Sequence, residues 1–204
     1  MQQRQPNQRG AGGRLRLELL DAAFRVLDRS PASGLSLRMV AREAGVAPPS
    51  VYDHFPDART LMADVVRECW QQLGDAMRES AGRPAEQEPL AVLKEQMSAY
   101  VAYAMQRPSR YQLLFALQPL DAEAARDLPG PVQPAYRNVL ECVEAMLAAG
   151  RSLPAADAHT TVLLVLSIAH GRIALAQTAP HRPGNFSAGV QRFVSDVLDR
   201  IFAA

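Results

Sequence analysis

Residues 41–55 read AREAGVAPPSVYDHF, and two consecutive prolines, Pro48 and Pro49, sit there between segments of helical pattern. Ala41 stands four positions before Gly45, and Val51 follows six after it. A helix that stops at Gly45 and another that starts almost at once describe a helix-turn-helix, two short helices held at an angle by a tight turn. Each residue type suits that geometry. Ala41 is small, as the close crossing of the two helices requires. Glycine at 45 adopts the left-handed backbone that ends a helix at little steric cost. Val40, Ala44, Val46 and Val51 supply a small apolar core that pins the helices together. The first turn of a helix leaves its N–H groups unused, so Pro48 and Pro49 can stiffen the start of the second helix without losing a hydrogen bond. Ser50, Tyr52, Asp53 and His54 are then displayed at an exposed helix N-terminus, the end that such motifs insert into the major groove of DNA.

The surrounding sequence extends this unit in both directions. Leu15, Leu19, Ala22, Ala23 and Val26 form an apolar stripe that predicts a helix over 14–29, stopped by Ser30-Pro31 and Gly34. Ser36 is a good N-cap for a helix over 37–44, and the proline-led helix covers 49–54. Pro56-Asp57 opens a long helix over 58–80, with Leu61, Val65, Cys69, Leu73 and Ala76 on one face. Gly82, Pro84 and Pro89 mark a break. Further helices are predicted over 90–106, 108–117, 133–149, 155–178 and 186–203. Residues 118–132, with three prolines and a glycine, read as a mobile connection, and residues 179–185 as a shorter one. No alternating strand pattern occurs. The expected fold is all-α, about nine helices, with an N-terminal three-helix unit and a larger C-terminal bundle. The boundaries drawn are a disordered basic arm over 1–13, a helix-turn-helix domain over 14–60 and the bundle over 61–204.

Composition narrows the function. The chain has 204 residues, 48% of them hydrophobic, enough for a sizeable core. Its net charge is +1, but residues 1–16 carry Arg4, Arg9, Arg14 and Arg16 with no acid. A basic arm at one end points to an anionic partner near that end. Cys69 and Cys142 are isolated and offer neither a metal framework nor a dithiol motif, which predicts free thiols in a reducing compartment and no metal or cofactor. The polar start MQQRQPNQRGAGGR lacks the apolar run of a signal peptide. The most apolar stretch, VLLVLSIA at 162–169, falls short of the roughly 20 residues that cross a bilayer. A cytoplasmic protein without a membrane partner is expected. Enzyme chemistry finds no support: there is no Gly-rich phosphate loop, no His-x-x-x-His pair and no Cys–His constellation. Asp157 and His159, two apart on a helix, face different directions.

The longer run SLRMVAREAGVAPPSVYDHFPDARTLM, residues 36–62, resembles the TetR/AcrR family of bacterial transcriptional regulators. The carrying signature is AGV at 44–46, then after five residues Tyr-x-His-Phe at 52–55, then a turn and a leucine. RLELLDAAFRVLDRS, residues 16–30, also fits that family's first helix, so the likeness is specific over about 14–65. It implies that Ser36 caps the second helix and can touch a phosphate, and that Arg38 and Arg42 reach backbone phosphates. Pro48, Pro49 and Ser50 would approach base edges, while Tyr52 and His54 bond phosphates. Phosphate contacts position the protein and base contacts read sequence. A proline can meet a thymine methyl but reads no hydrogen-bond edge, so specificity would lean on the arginine-rich arm, Arg14 included, or on DNA shape. Two departures stand out. The family usually has lysine where this chain has Ala58, with Arg59 next door, and Asp53 adds a negative charge near the expected phosphate.

For the C-terminal bundle the resemblance implies an effector pocket. Met97, Tyr100, Tyr103, Tyr111, Phe115 and His170 are the candidate lining, with ordinary core packing as the competing account. YQLLFALQP at 111–119 and LSIAHGRIALA at 166–176 resemble the subtype with a Trp-His-Gly motif, although Leu166 stands where tryptophan is common. Gly171 is expected to permit a close helix approach. The last two helices are apolar beyond one buried face, and Leu163, Leu166, Ile173, Val190, Phe193, Val197 and Ile201 are candidates for a two-fold interface with a second copy. The expected partners are a palindromic double-stranded DNA operator, an unidentified small hydrophobic or aromatic effector, and a second copy of the chain. The expected function is a dimeric, ligand-responsive regulator, most often a repressor. The alternative is a helical ligand-binding module of the same fold with lost or weak DNA affinity.

Overall fold

The computed structural model describes residues 11–29, 35–82, 87–115, 133–178 and 186–203. They form α1 (Ala11–Leu27), α2 (Leu37–Ala44), α3 (Pro48–Tyr52), α4 (Ala58–Ser80), α5 (Pro89–Gln106), α6 (Pro108–Phe115), α7 (Gln133–Ala148), α8 (Ala158–Thr178) and α9 (Phe186–Ile201), and no strand occurs among them. The all-α expectation holds, and most element bounds fall close to the predicted ones. Arg4 and Arg9 of the expected arm, the stop at Ser30–Gly34 and the connections at 118–132 and 179–185 lie outside the described residues.

Local signals set the helix ends. Ser36, in extended backbone, accepts the Met39 N–H on its Oγ at the start of α2. Gly45 closes α2 in the left-handed region, at φ 68° and ψ 31°. Its N–H donates to the Arg42 carbonyl at 3.2 Å, and the Val46 N–H donates to the Ala41 carbonyl at 3.0 Å. Two terminal carbonyls are thereby satisfied, as in a Schellman turn. Asp57 starts α4 by accepting the Thr60 N–H at 2.7 Å and its hydroxyl at 2.9 Å. Those bonds hold the Asp57 carboxyl below its ordinary range.

α1, α2 and α3 pack as a small unit, and α5 is the central helix of the bundle, touching α4, α6, α7, α8 and α9. α4 reaches both, packing on α1 as well as on α5, α6 and α7. The apolar core is continuous through it, from Leu19 and Phe24 to Leu73, Met97, Val165 and Leu198. Among the described glycines, the closest approach is at Gly74. A Cβ there would lie 2.4 Å from the Pro134 Cβ, and Asn138 Nδ2 donates to the Gly74 carbonyl at 2.7 Å. Glycine at 74 therefore lets α7 lie against α4. The close approach expected at Gly171 is not made among the described residues, where a Cβ would meet nothing within 4 Å.

α8 is longer than its most apolar stretch. Taken over its 21 residues, the helix is long and apolar enough to cross a membrane by length and composition, although VLLVLSIA alone is not. In the fold it is a bundle helix: Val162, Val165, Ala169, Ile173 and Ala176 are buried, and α8 packs on α5, α7 and α9.

Candidate functional site

The apolar pattern of α3 aims its polar end outward. Val51 and Phe55 are fully buried, while Pro48, Pro49, Tyr52 and Asp53 are exposed and Ser50 and His54 half-buried. Ala47 is extended, Pro48 and Pro49 occupy the first helical positions, and no side chain caps the end. Arg38 and Arg42 lie on α2, four residues apart and so on one face. Arg59 is exposed in the first turn of α4. Ser36 is half-buried with its Oγ at the α2 cap, and Arg14 is exposed and pairs with Glu18 at 3.0 Å. All ten residues predicted to meet DNA are present in the described fold, and the α3 set shares one projecting end.

Arg16 has a role that the charge count does not reveal. Its guanidinium lies over the Phe55 ring, 4.5 Å from the centroid, and donates to the His54 carbonyl at 2.7 Å. It also pairs with the Asp64 carboxylate, which is 8% exposed and takes Arg67 as well. One guanidinium thus ties α1, the turn after α3 and α4 together directly behind the exposed tip. The available signal was positional: Arg16 precedes buried Leu19 and Leu20 by three and four residues, on the same face of α1. Across the same surface, Glu43 on α2 pairs with Arg25 at 2.8 Å and with Arg29, and both bonds lower its carboxyl below the ordinary range.

α6 faces two ways. Arg110 donates to both Asp28 carboxylate oxygens, at 2.7 and 2.6 Å, and to Gln72 Oε1 at 3.1 Å, and it covers the Phe24 ring at 4.5 Å. It joins α6 to the end of α1 and to α4. The next residue, Tyr111, turns into the bundle. Its hydroxyl lies 3.0 Å from that of Tyr100 and 2.8 Å from His170 Nδ1. Burial pushes the Tyr100 phenol up to about 12 and raises those of Tyr103 and Tyr111, so all three stay protonated. Burial lowers the pKa of His170, favouring the neutral imidazole.

The predicted pocket residues come together, but mostly as packed interior. Met97, Tyr100, Tyr103 and Tyr111 are all buried, and the Tyr103 hydroxyl donates to the Cys69 carbonyl at 3.3 Å, tying α5 to α4. Phe115 and His170 form the accessible side. Phe115 is 39% exposed, with ring centroids 4.0 Å from His170, 5.1 Å from Tyr111 and 5.5 Å from Trp70. Trp70, the chain's single tryptophan, is missing from the sequence-based set. It lies one residue off the Leu61–Cys69–Leu73 stripe, and only the fold brings it against α6. Its indole N–H is buried without an acceptor among the described residues. Both cysteines are free and buried, and burial pushes the Cys69 thiol up to about 11 and the Cys142 thiol to about 12.

On α8 and α9 an apolar surface is left open. Leu163 is 58%, Leu175 69% and Phe193 45% exposed, and Leu166, Val197 and Ile201 are less so. Arg172 covers the Phe193 ring at 5.6 Å. Two predicted interface residues are placed elsewhere. Ile173 and Val190 are fully buried in the chain's own core, on helix faces that pack inward, and cannot meet a second copy.

Two family models match this chain. Residues 19–65 match that of bacterial regulatory proteins, tetR family, and residues 93–201 match the tetracyclin repressor-like C-terminal domain. Among solved structures, a protein of unknown function from Rhodococcus sp. RHA1 is 25% identical with a TM-score of 0.75, over 93% of this chain and 96% of that one. The TetR-family transcriptional regulator PfmR from Thermus thermophilus is similar in fold at 17% identity and a TM-score of 0.61, over 89% and 97% of the two chains. RolR, solved in complex with resorcinol, is similar in fold at 14% identity and a TM-score of 0.63, over 96% of each chain.

Proposed function

The chain belongs to the TetR family of bacterial transcriptional regulators, and from that premise we propose that it is a homodimeric repressor, released from a palindromic operator by a small hydrophobic or aromatic effector. The observation that carries the DNA-binding half is the α3 tip: its apolar side is sunk in the core at Val51 and Phe55, and its proline-led end projects, braced from behind by Arg16. Arg38, Arg42 and Arg59 flank it as phosphate partners, Tyr52 and His54 add hydrogen bonds to the backbone, and Pro48, Pro49 and Ser50 face the bases. Ser36 holds the start of α2 in place. The exposed apolar strip of α8 and α9 is the dimer surface, and two-fold pairing sets two α3 tips about 34 Å apart or more, to match successive major grooves. The effector acts on the bundle around α6, whose Arg110 grips α1 through Asp28 and whose Tyr111 reaches His170. An effector that shifts α6 therefore pulls on the DNA-binding unit. RolR, similar in fold, was solved with resorcinol, which supports an aromatic effector here.

A second reading, a ligand-binding module with weak DNA affinity, is favoured by one observation: Asp53 is exposed on the tip, where it opposes phosphate. A gel shift with DNA from upstream of the protein's own gene separates the two. The repressor reading expects a retarded complex that weakens with salt, and a loss of roughly tenfold or more in both Arg38→Ala and Tyr52→Ala. A folded wild-type protein that retards no upstream DNA at low salt leaves only the second reading.

A further inference from the structure

We propose that Trp70, Phe115 and His170 form the anchoring end of the effector site, and that the molecule it takes is a neutral, planar aromatic compound whose carbonyl or hydroxyl oxygen accepts the Trp70 indole N–H. The proposal rests on the reading of the C-terminal bundle as an effector domain, and it specifies where in that bundle and what chemistry.

Three observations lead to it. First, Trp70 is 3% exposed and its Nε1 has no acceptor among the described residues. Buried side-chain donors are nearly always satisfied, and leaving one unpaired costs stability. The other buried polar side chains nearby do have partners: Asn138 donates to the Gly74 carbonyl, and the Tyr103 hydroxyl to the Cys69 carbonyl. The Phe115 ring 5.5 Å away is at most a second-order acceptor for an N–H. Second, this donor belongs to a cluster of rings whose outer members are partly accessible. Trp70 meets Phe115 edge-on at 73°, Phe115 lies on His170, and both Phe115 and His170 are partly accessible, while Tyr100 and Tyr111 close the inner side. Rings at such angles offer faces and edges to another flat ring. Third, the cluster carries no net charge to match an ion. Tyr100, Tyr111 and His170 are held in their neutral forms, and the α6 arginine, Arg110, is committed to Asp28 and Gln72. A carboxylate entering here would lose its hydration with no cation to pair it, whereas a neutral oxygen needs only one good donor.

The single tryptophan makes the test direct, because uniformly ¹⁵N-labelled protein shows one indole N–H resonance. Three probes share a ring and differ in the acceptor: acetophenone (neutral carbonyl), toluene (none) and benzoate (charged). Acetophenone is expected to move the indole proton downfield in a saturable titration, toluene to give no downfield shift, and benzoate to bind at least tenfold more weakly. By calorimetry, Trp70→Phe, which keeps an aromatic ring but deletes the N–H, is expected to bind acetophenone about tenfold more weakly, the equivalent of one lost hydrogen bond. An indole resonance that acetophenone leaves in place up to its solubility overturns the proposal, and so does tighter binding of benzoate or undiminished affinity in a folded Trp70→Phe. The wild-type titration needs no variant and no DNA. Retardation of the upstream DNA with a still indole peak defeats this site and leaves the regulator standing. A shifted indole peak with no DNA complex does the reverse.

Discussion

At His170 the surroundings select the neutral imidazole. Tyr111 bonds Nδ1 and Phe115 covers the ring, while burial lowers the pKa of the group below its usual value. The consequence for stability has a definite sign. Above the unfolded pKa of about 6.5, neither state binds the proton and stability is independent of this group. As pH falls through that value the unfolded chain takes up a proton that the folded chain resists, so stability drops, and the drop ends once the lowered folded pKa is passed. Thermal unfolding followed from about pH 7.5 to 5.5 should show the melting temperature falling in the wild type and falling less in His170→Gln, which keeps an acceptor for Tyr111. Equal slopes in the two proteins would mean that His170 is not the group responsible. Residues such as Ser36, Gly45 and Pro49 were legible in the sequence because each acts on its own stretch of backbone. Arg16 and Trp70 were not, because their meaning lies in partners far along the chain: Asp64 for one, Phe115 for the other.

Between elements, the most restrictive contact is the one at Gly74, where α7 rests on α4. A methyl there would have to displace Pro134, whose Cβ is 2.4 Å from the position and whose backbone is 3.3 Å away, so a side-chain rotation alone gives no relief. Gly74→Ala is expected to destabilise the fold by about 1–3 kcal/mol, the usual range for overpacking, in urea denaturation monitored by circular dichroism. An unchanged midpoint would show that α7 can move off α4 without loss. Helix bounds were readable because caps, prolines and glycines punctuate the chain. Which way α8 faces was not, since its apolar residues leave no preferred side and both Ile173 and Leu163 are plausible interface positions by pattern alone. The fold decides by packing Ile173 inward and leaving Leu163 out. For the same reason the tyrosines of α5 and α6 read equally well as core or as pocket, and the structure places them mostly in the core, with Phe115 and His170 at the accessible edge.

For the whole molecule, the exposed apolar side chains of α8 and α9, Leu163, Leu175 and Phe193 among them, ask for a cover, and exposed apolar surface that clusters marks an interaction site. Gly171 lies on the same side of α8, one turn before Leu175, so the close approach that it does not make among the described residues can be made to a second copy. DNA geometry points the same way: on the proposed function one α3 tip would read one half-site, and joining two tips in a dimer would raise affinity for a palindrome by about 10²–10⁴ without any new contact to DNA. Placing carboxylates in the strip should break the pair and leave each protomer folded. Leu163→Glu combined with Phe193→Glu is expected to run as a monomer in light scattering, to keep the helical circular dichroism of the wild type, and to bind a full palindromic operator at least about a hundredfold more weakly. Its affinity for an isolated half-site should be close to that of one wild-type protomer, since Tyr52, Arg38 and the Arg16 brace are untouched. A double variant that remains dimeric moves the interface off this strip. One that is monomeric yet holds the full operator undiminished means that the two α3 tips never acted together.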